Sequence, residues 1–213
     1  MKQAMIDAQL GDDVYGEDTT VNELEKRCAE LFGKEAGLFV ASGTMGNLLA
    51  VMAHCQRGDE IIVGRQNHIH RWEQGNYAQL AMKEDGIMDV KDIEDSIRIN
   101  DSHMPRTRLI CLENTHNYAG GKALPISYLK SIRDLANRYN LLIHMDGARI
   151  YNAAIALGVK AVGGGWRQAG ILAAAAHVAL DKADVTIRKD HHNAQILAAG
   201  INQRTPESFK KVR

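Results

Sequence analysis

Charged side chains follow a buried-looking apolar run near residue 146. The stretch LLIHMDGARI places Asp146 and Arg149 directly after a segment in which four of five residues are apolar. Ligands of open α/β sheets bind beyond the carboxyl ends of the strands, so charges at this position are candidate ligand contacts. Charged residues also commonly end a strand at the protein surface, and this stretch alone favours that simpler interpretation.

A second candidate site lies in the stretch FVASGTMGN, between a predicted strand and a predicted helix. Ser42, Gly43 and Thr44 are small or carry hydroxyl groups, so backbone N–H groups and the helix dipole could together bind an anion, ideally a phosphate. Simple N-capping of the helix by Ser42 or Thr44 explains the same residues equally well. Both interpretations stay open at this stage.

Histidines form a third candidate site. His68 and His70 alternate in NHIHRWEQG, and His144 and Asp146 end another predicted strand. Together they could ligate a metal ion, which makes a His/Asp metal-dependent hydrolase one possible function. The ligand spacing lacks the regularity of known zinc motifs, and this disfavours a metal.

A fourth polar stretch, CLENTHNYAGG, also follows a predicted strand and carries Glu113, His116 and Asn117. Taken alone, it indicates only a loop that ends in glycines. Its interest comes from its place, because parallel strands bring their carboxyl ends to one edge of a sheet.

Strand and helix patterns alternate along the chain up to about residue 146, which is typical of a mostly parallel, doubly wound α/β sheet. A capping box formed by Thr20 and Glu23 is expected to begin the first confident helix, and Gly33 to end it. Apolar periodicity predicts strands at 36–42, 60–63, 107–113 and 141–146, and helices at 20–33, 44–56, 89–99, 125–140 and 166–201.

Composition disfavours several classes of partner. The 26 basic and 26 acidic residues cancel, so no strong field points to nucleic acid or to an anionic membrane. Cys28, Cys55 and Cys111 lack metal-site spacing and are expected to be reduced thiols. We find no signal peptide and no membrane-spanning run, so the sequence predicts a soluble, cytoplasmic protein.

Six motifs occur in the order found in the L-threonine aldolases: GDDVYGEDTT, ASGTMGN, HIHRWEQG, ENTHNYAGG, HMDGARI and GGGWRQAG. The chain therefore resembles that family, in its low-specificity type, which belongs to the β-eliminating lyases. The resemblance implies the aspartate-aminotransferase fold group, known as fold type I, and the cofactor pyridoxal 5'-phosphate. Six motifs in one order are far more specific than any single motif.

The resemblance assigns roles to the candidate residues. Ser42, Gly43 and Thr44 would hold the cofactor phosphate, and Asp146 would bind the pyridine nitrogen. His68 would stack on the cofactor ring and take part in proton transfer at the substrate hydroxyl. These assignments come from the family pattern and not from spacing.

Two further residues are assigned in the same way. Arg149 would lie near the cofactor's phenolic oxygen and the substrate carboxylate, and Tyr15 resembles a residue that reaches the active site across a dimer interface. The implied reaction cleaves L-threonine or L-allo-threonine into glycine and acetaldehyde, in glycine biosynthesis and threonine catabolism. The implied assembly is a homo-oligomer, a dimer or a tetramer.

The chain also departs from the family. The Ser-Lys-Gly segment, whose lysine binds the cofactor as a Schiff base, does not occur, and Lys160 is the nearest candidate substitute. Comparison with the family indicates that roughly forty residues and about two strands are missing at 160–163, with a smaller gap at 81–82. We expect an incomplete cofactor-binding domain over 1–165, and a helical remnant of the small C-terminal domain over 166–213.

These departures predict a shortened, threonine-aldolase-like chain that is inactive or impaired. A Schiff-base lysine cannot be replaced by binding alone, because it attaches the cofactor and helps to release the product. The alternative is a non-catalytic subunit that pairs with full-length aldolase chains. The metal-dependent hydrolase stays a second alternative.

Overall fold

The computed structural model describes residues 1–73, 86–98, 101–158 and 170–204. Three parallel strands and eight α-helices alternate along these residues, together with a short 3-10 turn at Asp13–Tyr15. The strands are β1 (Asp59–Val63), β2 (Arg106–Glu113) and β3 (Leu142–Asp146). The helices are α1 (Lys2–Ile6), α2 (Thr19–Phe32), α3 (Gly43–His54), α4 (His68–Arg71), α5 (Val90–Ser96), α6 (Ile126–Tyr139), α7 (Ile150–Leu157) and α8 (Gly170–Arg204).

The sheet order is β1-β2-β3, with β2 in the centre. Both pairings are parallel, and the register sets Val63 beside Cys111 and Glu113 beside Asp146. The carboxyl ends of all three strands therefore lie at one edge of the sheet. This is the edge at which the polar loops after the strands were expected to meet.

Alternate residues of β2 face opposite layers of the core, as the pleat of a strand requires. Ile110 and Leu112 pack with Ile132 and Leu135 of α6. Leu109 and Cys111 pack on the other face, where Ile69 of α4 also lies. Helices thus cover both faces, and the alternation of strands and helices predicted from sequence is confirmed.

The capping box predicted for α2 is wrong. Asp18, which is fully buried, caps the helix, because its Oδ1 accepts a hydrogen bond of 3.0 Å from the Val21 N–H. Thr20 instead donates its hydroxyl to the Gln9 carbonyl at 2.7 Å. A carboxylate at the N-cap also interacts favourably with the helix dipole. The helix therefore begins at Thr19, one residue earlier than predicted.

The strand predicted at 36–42 is also wrong. Residues 37–41 have no regular secondary structure, and the Leu38 side chain is 63% exposed. Among the described residues, β3 pairs with β2 alone, and its other edge has no neighbouring strand. An apolar segment becomes a strand only when another strand satisfies its backbone groups, and here a cavity separates the segment from β3.

The long helix α8 packs against α1, α2 and α7. Ala173 is buried with Val21, Leu24 and Cys28 of α2, and Arg27 forms an ion pair of 2.6 Å with Asp181. The later part of α8 exposes apolar side chains such as Val185 and Leu197. None of the described helices is long and apolar enough to cross a membrane.

The gaps expected at 81–82 and 160–163, the residue Lys160 and the polar tail after residue 204 lie outside the described residues. The long helix predicted from residue 166 is described from Gly170 onward.

Candidate functional site

Three polar groups meet at the carboxyl edge of the sheet. Asp146 ends β3, Glu113 ends β2 beside it, and His68 begins α4 shortly after β1. The peptide N–H of Asn114 donates to the Asp146 carbonyl at 2.9 Å, which holds the two strand ends together. The sheet thus positions groups that are far apart in sequence.

Asp146 is a buried carboxylate with two directed hydrogen bonds. It is 6% exposed, its Oδ2 accepts from Asn47 Nδ2 at 2.9 Å, and its Oδ1 accepts from the Ala148 N–H at 3.1 Å. Asn47 lies on α3, so the helix after the second candidate site directly orients the acid after β3. A buried, oriented carboxylate can hold a cation or a protonated nitrogen.

His68 and Glu73 complete a compact group with Asp146. His68 Nδ1 and Glu73 Oε1 are 2.8 Å apart, and one ligand atom from each of the three residues lies within 4.8 Å of the others. The Glu73 side chain is 6% exposed and that of His68 is 40% exposed. Asn47 Nδ2 also donates to Glu73 Oε1 at 3.0 Å, so one amide group serves both carboxylates.

Glu113 supports the start of α4. Its two carboxylate oxygens accept hydrogen bonds from the peptide N–H of His68 at 2.6 Å and from that of Asn117 at 2.8 Å. His116 is buried behind this contact, with Nε2 at 3.2 Å from Asn67 Oδ1. The fourth polar stretch of the sequence therefore holds His68 in place through backbone contacts.

His144 points toward the same group from within β3. Its Nε2 lies 2.7 Å from Asn47 Oδ1. Burial lowers the pKa of His144, and although the Asp146 carboxylate opposes this shift, the net direction is downward. The imidazole is therefore neutral at pH 7 and donates its Nε2–H to the amide oxygen.

Ser42 caps α3, with its Oγ accepting from the Met45 N–H at 3.1 Å. The simple capping interpretation thus accounts for Ser42. Ser42, Gly43 and Thr44 are exposed, and a methyl group placed on Gly43 would meet no heavy atom within 4 Å. There is room for an anion at this helix start, and phosphate binding there stays a prediction.

A cavity of about 750 Å³ connects the start of α3 with β3. Gly43, Asn47, His144 and Asp146 line it together with Leu38 from the segment predicted to be a strand. The structure therefore brings Gly43, from the predicted phosphate site, and Asp146, the predicted ring-nitrogen ligand, to one cavity.

Two residues assigned by resemblance, Arg149 and Tyr15, are not joined to this group. Arg149 is exposed before α7, and among the described residues its guanidinium makes no ion pair. Tyr15 is 78% exposed on the 3-10 turn. Of the four residues proposed for a metal hydrolase, His70 and His144 are not part of the group formed with Asp146.

Asn47 and Glu73 are the site residues that sequence reasoning missed. Asn47 lies in the motif ASGTMGN and Glu73 in HIHRWEQG, but only neighbouring residues of each motif were predicted to belong to the site. Asn47 lies one helical turn after Gly43, a spacing that places it on the same side of the helix as the predicted phosphate site. That spacing was the available signal for Asn47.

Comparison with known proteins gives consistent results. The family model described as Beta-eliminating lyase matches residues 1–162 and again 158–212. An uncharacterized protein of Caenorhabditis elegans is 58% identical over 260 residues, which cover 99% of this chain and 63% of that protein. Low-specificity L-threonine aldolase 1 of Arabidopsis thaliana is 40% identical, over 95% of this chain and 72% of that protein.

The structure resembles a threonine aldolase of Leishmania major with a TM-score of 0.62 and 22% sequence identity. The match covers 80% of this chain and 52% of the solved one. This likeness shows the fold, and it confirms the expected α/β, fold-type-I architecture. The chain spans about half of that structure and less than two thirds of the C. elegans protein.

Proposed function

Because the chain belongs to the β-eliminating lyase family, in its low-specificity threonine aldolase branch, we propose that it is a shortened lyase chain that binds pyridoxal 5'-phosphate. We further propose that it has little or no turnover of L-threonine and L-allo-threonine. Family members use this cofactor, and the observation that carries the proposal is the cavity shared by Asp146 and the start of α3.

The residues at the cavity fit non-covalent binding of the cofactor. Asp146 is a buried carboxylate whose two oxygens are each oriented by one hydrogen bond, as a ligand for a protonated ring nitrogen must be. Gly43 leaves open space at a helix start, where backbone N–H groups can hold a phosphate together with Ser42 and Thr44. When bound, the cofactor supplies an electron sink for cleavage of the Cα–Cβ bond.

His68 is the proposed proton acceptor at the substrate hydroxyl. Its Nδ1 faces Glu73, so an ionised Glu73 fixes the proton on Nδ1 and leaves Nε2 with a lone pair. Glu113 holds the backbone of His68, and Asn47 holds Glu73, so both ends of this arrangement are oriented. His68 would also lie against the cofactor ring.

Arg149 and Tyr15 are the proposed substrate ligands. Both are exposed, which suits groups that bind a substrate carboxylate or that act in a second copy of the chain. Tyr15 would reach the site of a neighbouring subunit in a homo-oligomer. This assignment rests on the family pattern at DDVYGED.

The low turnover follows from what the chain lacks. Its sequence has no Ser-Lys-Gly segment, and the family model matches it in two pieces that meet at 158–162. Alignment over 260 residues for a chain of 213 is further support for an internal gap. Among the described residues, β3 has a neighbouring strand on one side only, and a cavity lies beside its other edge. Weaker support there would position the site less accurately, and a misplacement of about 1 Å can cost on the order of a hundredfold in rate.

The test is an absorbance spectrum of the full chain with cofactor, before and after borohydride reduction. We expect the unchanged chain to bind cofactor and Asp146→Asn to bind it more weakly. We also expect the bound cofactor to be removed by dialysis even after reduction. Glu60→Gln is the matched control, because Glu60 is a largely buried carboxylate at the opposite end of the sheet. Failure of the chain to bind cofactor at all would refute the cofactor site.

Turnover is measured as glycine and acetaldehyde released from L-threonine and L-allo-threonine with saturating cofactor. We expect no more release than cofactor alone produces. Lys34 is the one lysine that lines the described cavity, and Lys160 lies at the junction of the two matched pieces. Robust turnover lost in Lys34→Ala or Lys160→Ala, with cofactor fixed to that lysine by borohydride, would contradict the proposal.

One observation favours a second function, that of a non-catalytic subunit. Within the part of the chain that the structure describes, the edge of β3 away from β2 has no strand beside it and borders the cavity, where the family's missing strands would be expected. Coexpression with a full-length aldolase would then give mixed oligomers with reduced activity per subunit. Separate elution of the two chains would exclude this function.

A further inference from the structure

Three buried carboxylates lie at the carboxyl edge of the sheet with few positive partners. The side chains of Glu73 and Glu113 are 6% and 3% exposed, and Asp146 is 6% exposed. Among the described residues, no lysine or arginine forms an ion pair with any of the three. Burying carboxylates so close together is costly unless a cation or a network of donors compensates them.

The described hydrogen-bond donors to Glu73 and Asp146 include no permanently charged group. Both carboxylates accept from the same Asn47 Nδ2 group, at 3.0 and 2.9 Å, and Asp146 also accepts from the Ala148 N–H at 3.1 Å, but the amide and the peptide group are neutral. His68 Nδ1 lies on the other side of Glu73 at 2.8 Å and carries a positive charge only when the ring is protonated. The group therefore has more negative charge than its described neighbours balance.

We infer that His68, Glu73 and Asp146 form a binding site for a divalent transition-metal ion, with Zn²⁺ the best-suited ion. One imidazole nitrogen and two carboxylate oxygens are a donor set that zinc accepts, with bonds of about 2.0 to 2.2 Å. Such bonds place ligand atoms about 3.4 Å apart in a tetrahedral site. The present atoms lie within 4.8 Å of one another, so closure needs only side-chain adjustment.

Asn47 is the positioning residue of this site. Its Nδ2 binds both carboxylates, and its Oδ1 is fixed by His144, so the two acids face each other before any ion binds. A ligand held by an outer hydrogen bond is a usual feature of metal sites. The 40% exposed side chain of His68 leaves the ion an entry path and a coordination position for water.

This site shares Asp146 with the proposed cofactor site, so zinc and cofactor should exclude one another. In a chain that binds its cofactor through a lysine, the covalent bond would favour the cofactor. Here no such lysine segment occurs in the sequence, and the two ligands compete on affinity alone. The zinc site does not require that the chain also binds cofactor, so it can be tested in the cofactor-free chain.

The experiment is a titration of the chelator-treated full chain with Zn²⁺ against a chromogenic zinc indicator. We expect one equivalent to bind. Glu73→Gln, which removes a direct ligand, should raise the zinc dissociation constant by more than the roughly tenfold to hundredfold that loss of an outer-shell partner causes. Glu60→Gln, a largely buried glutamate at the far end of the sheet, should leave the constant unchanged. Far-UV circular dichroism shows whether each variant is folded.

His68→Gln serves as the second variant if Glu73→Gln does not fold, and the absorption spectrum of the Co²⁺ form reports the ligand type. Imidazole and carboxylate ligands give only weak visible bands. A thiolate charge-transfer band would appear instead if Cys28 or Cys55 bound the ion. Zinc binding that both variants leave unchanged would assign the ion elsewhere, for example to His191 and His192 of α8, and would overturn the inference. Absence of stoichiometric binding would overturn it too.

The competition is tested separately, in chain that has been shown to bind cofactor. Saturating Zn²⁺ should weaken cofactor binding in the unchanged chain and in Glu60→Gln. Zinc that binds without affecting the cofactor would contradict a site at Asp146. Cofactor binding without zinc binding would refute this inference and leave the proposed function intact.

Discussion

Replacement of Asn47 tests the network that organises the site. Asn47 is 5% exposed and makes three side-chain hydrogen bonds, to His144 at 2.7 Å, to Asp146 at 2.9 Å and to Glu73 at 3.0 Å. Asn47→Ala removes the amide and leaves two buried carboxylates without this donor. Because two of its partners lie on β3 and the third follows α4, the loss should destabilise this edge of the sheet.

The magnitude follows from the charge of the partners. A hydrogen bond to a charged group contributes roughly 1.5 to 3 kcal/mol, and Asn47 makes two of them. We expect Asn47→Ala to lower the free energy of unfolding by about 3 kcal/mol, since water in the adjacent cavity replaces part of the lost bonding. Urea unfolding with excess chelator and without cofactor measures this value.

Asn47→Asp adds a pH-dependent signature. The new carboxylate would lie beside Asp146 and Glu73, so the pKa of one member of the group must rise above its unfolded value. A carboxyl group with a raised folded pKa contributes stability at low pH, and this contribution is lost as pH rises through the folded pKa. The cost of Asn47→Asp relative to the unchanged chain should therefore be smaller at pH 5 than at pH 7.5.

Asn22→Ala is the matched control for both substitutions. Asn22 is exposed on α2 and donates to the Gly16 carbonyl at 2.8 Å, so its loss should cost less than about 1 kcal/mol. If Asn47→Ala costs no more than Asn22→Ala, the proposed network does not stabilise the site. A pH-independent cost of Asn47→Asp would equally refute the reasoning.

Two further predictions concern titratable groups. Burial lowers the pKa of His144, so the chain should be most stable above the unfolded value of about 6.5 and lose stability as pH falls below it. The difference between the urea midpoints at pH 7.5 and pH 5.5 should be smaller in His144→Gln than in the unchanged chain. His103→Gln is the control and should leave this difference unchanged, because the His103 side chain is 90% exposed. Burial also raises the pKa of Cys28, Cys55 and Cys111, and Cys111 is fully buried. A thiol reagent should label half-buried Cys55 first and Cys111 only on unfolding; fast labelling of Cys111 in the native chain would contradict the described core.

Much of the fold is readable from local sequence. The helices α2 and α6 were predicted within one residue or two, because each carries apolar residues on one face and ends in a residue that adopts a left-handed conformation, Gly33 or Asn140. The strands β2 and β3 were evident as short apolar runs that end in acids. The cap of α2 was misassigned because Asp18 and Thr20 are both good N-cap residues, and burial decided between them.

The site was predictable only in part. Asp146 and His68 were found because each belongs to a motif, and the parallel order of the strands implied that their loops would meet. Asn47 and Glu73 were missed, since the contacts that define them join residues 26 and 99 positions apart. Whether a side chain at one strand end reaches one at another depends on sheet register and helix packing.

The sequence by itself determined the family, the helix periodicities and the absence of the Ser-Lys-Gly segment, because these depend on residue types and their order. Tertiary structure decided that residues 36–42 do not form a strand. It also decided that the Asn47 amide binds two buried carboxylates, Glu73 and Asp146. A strand forms only where a neighbouring strand satisfies its backbone groups. In the described ranges, the edge of β3 away from β2 borders a cavity and has no strand beside it. Hydrogen bonds across the sheet edge are likewise set by distances that only the folded chain defines.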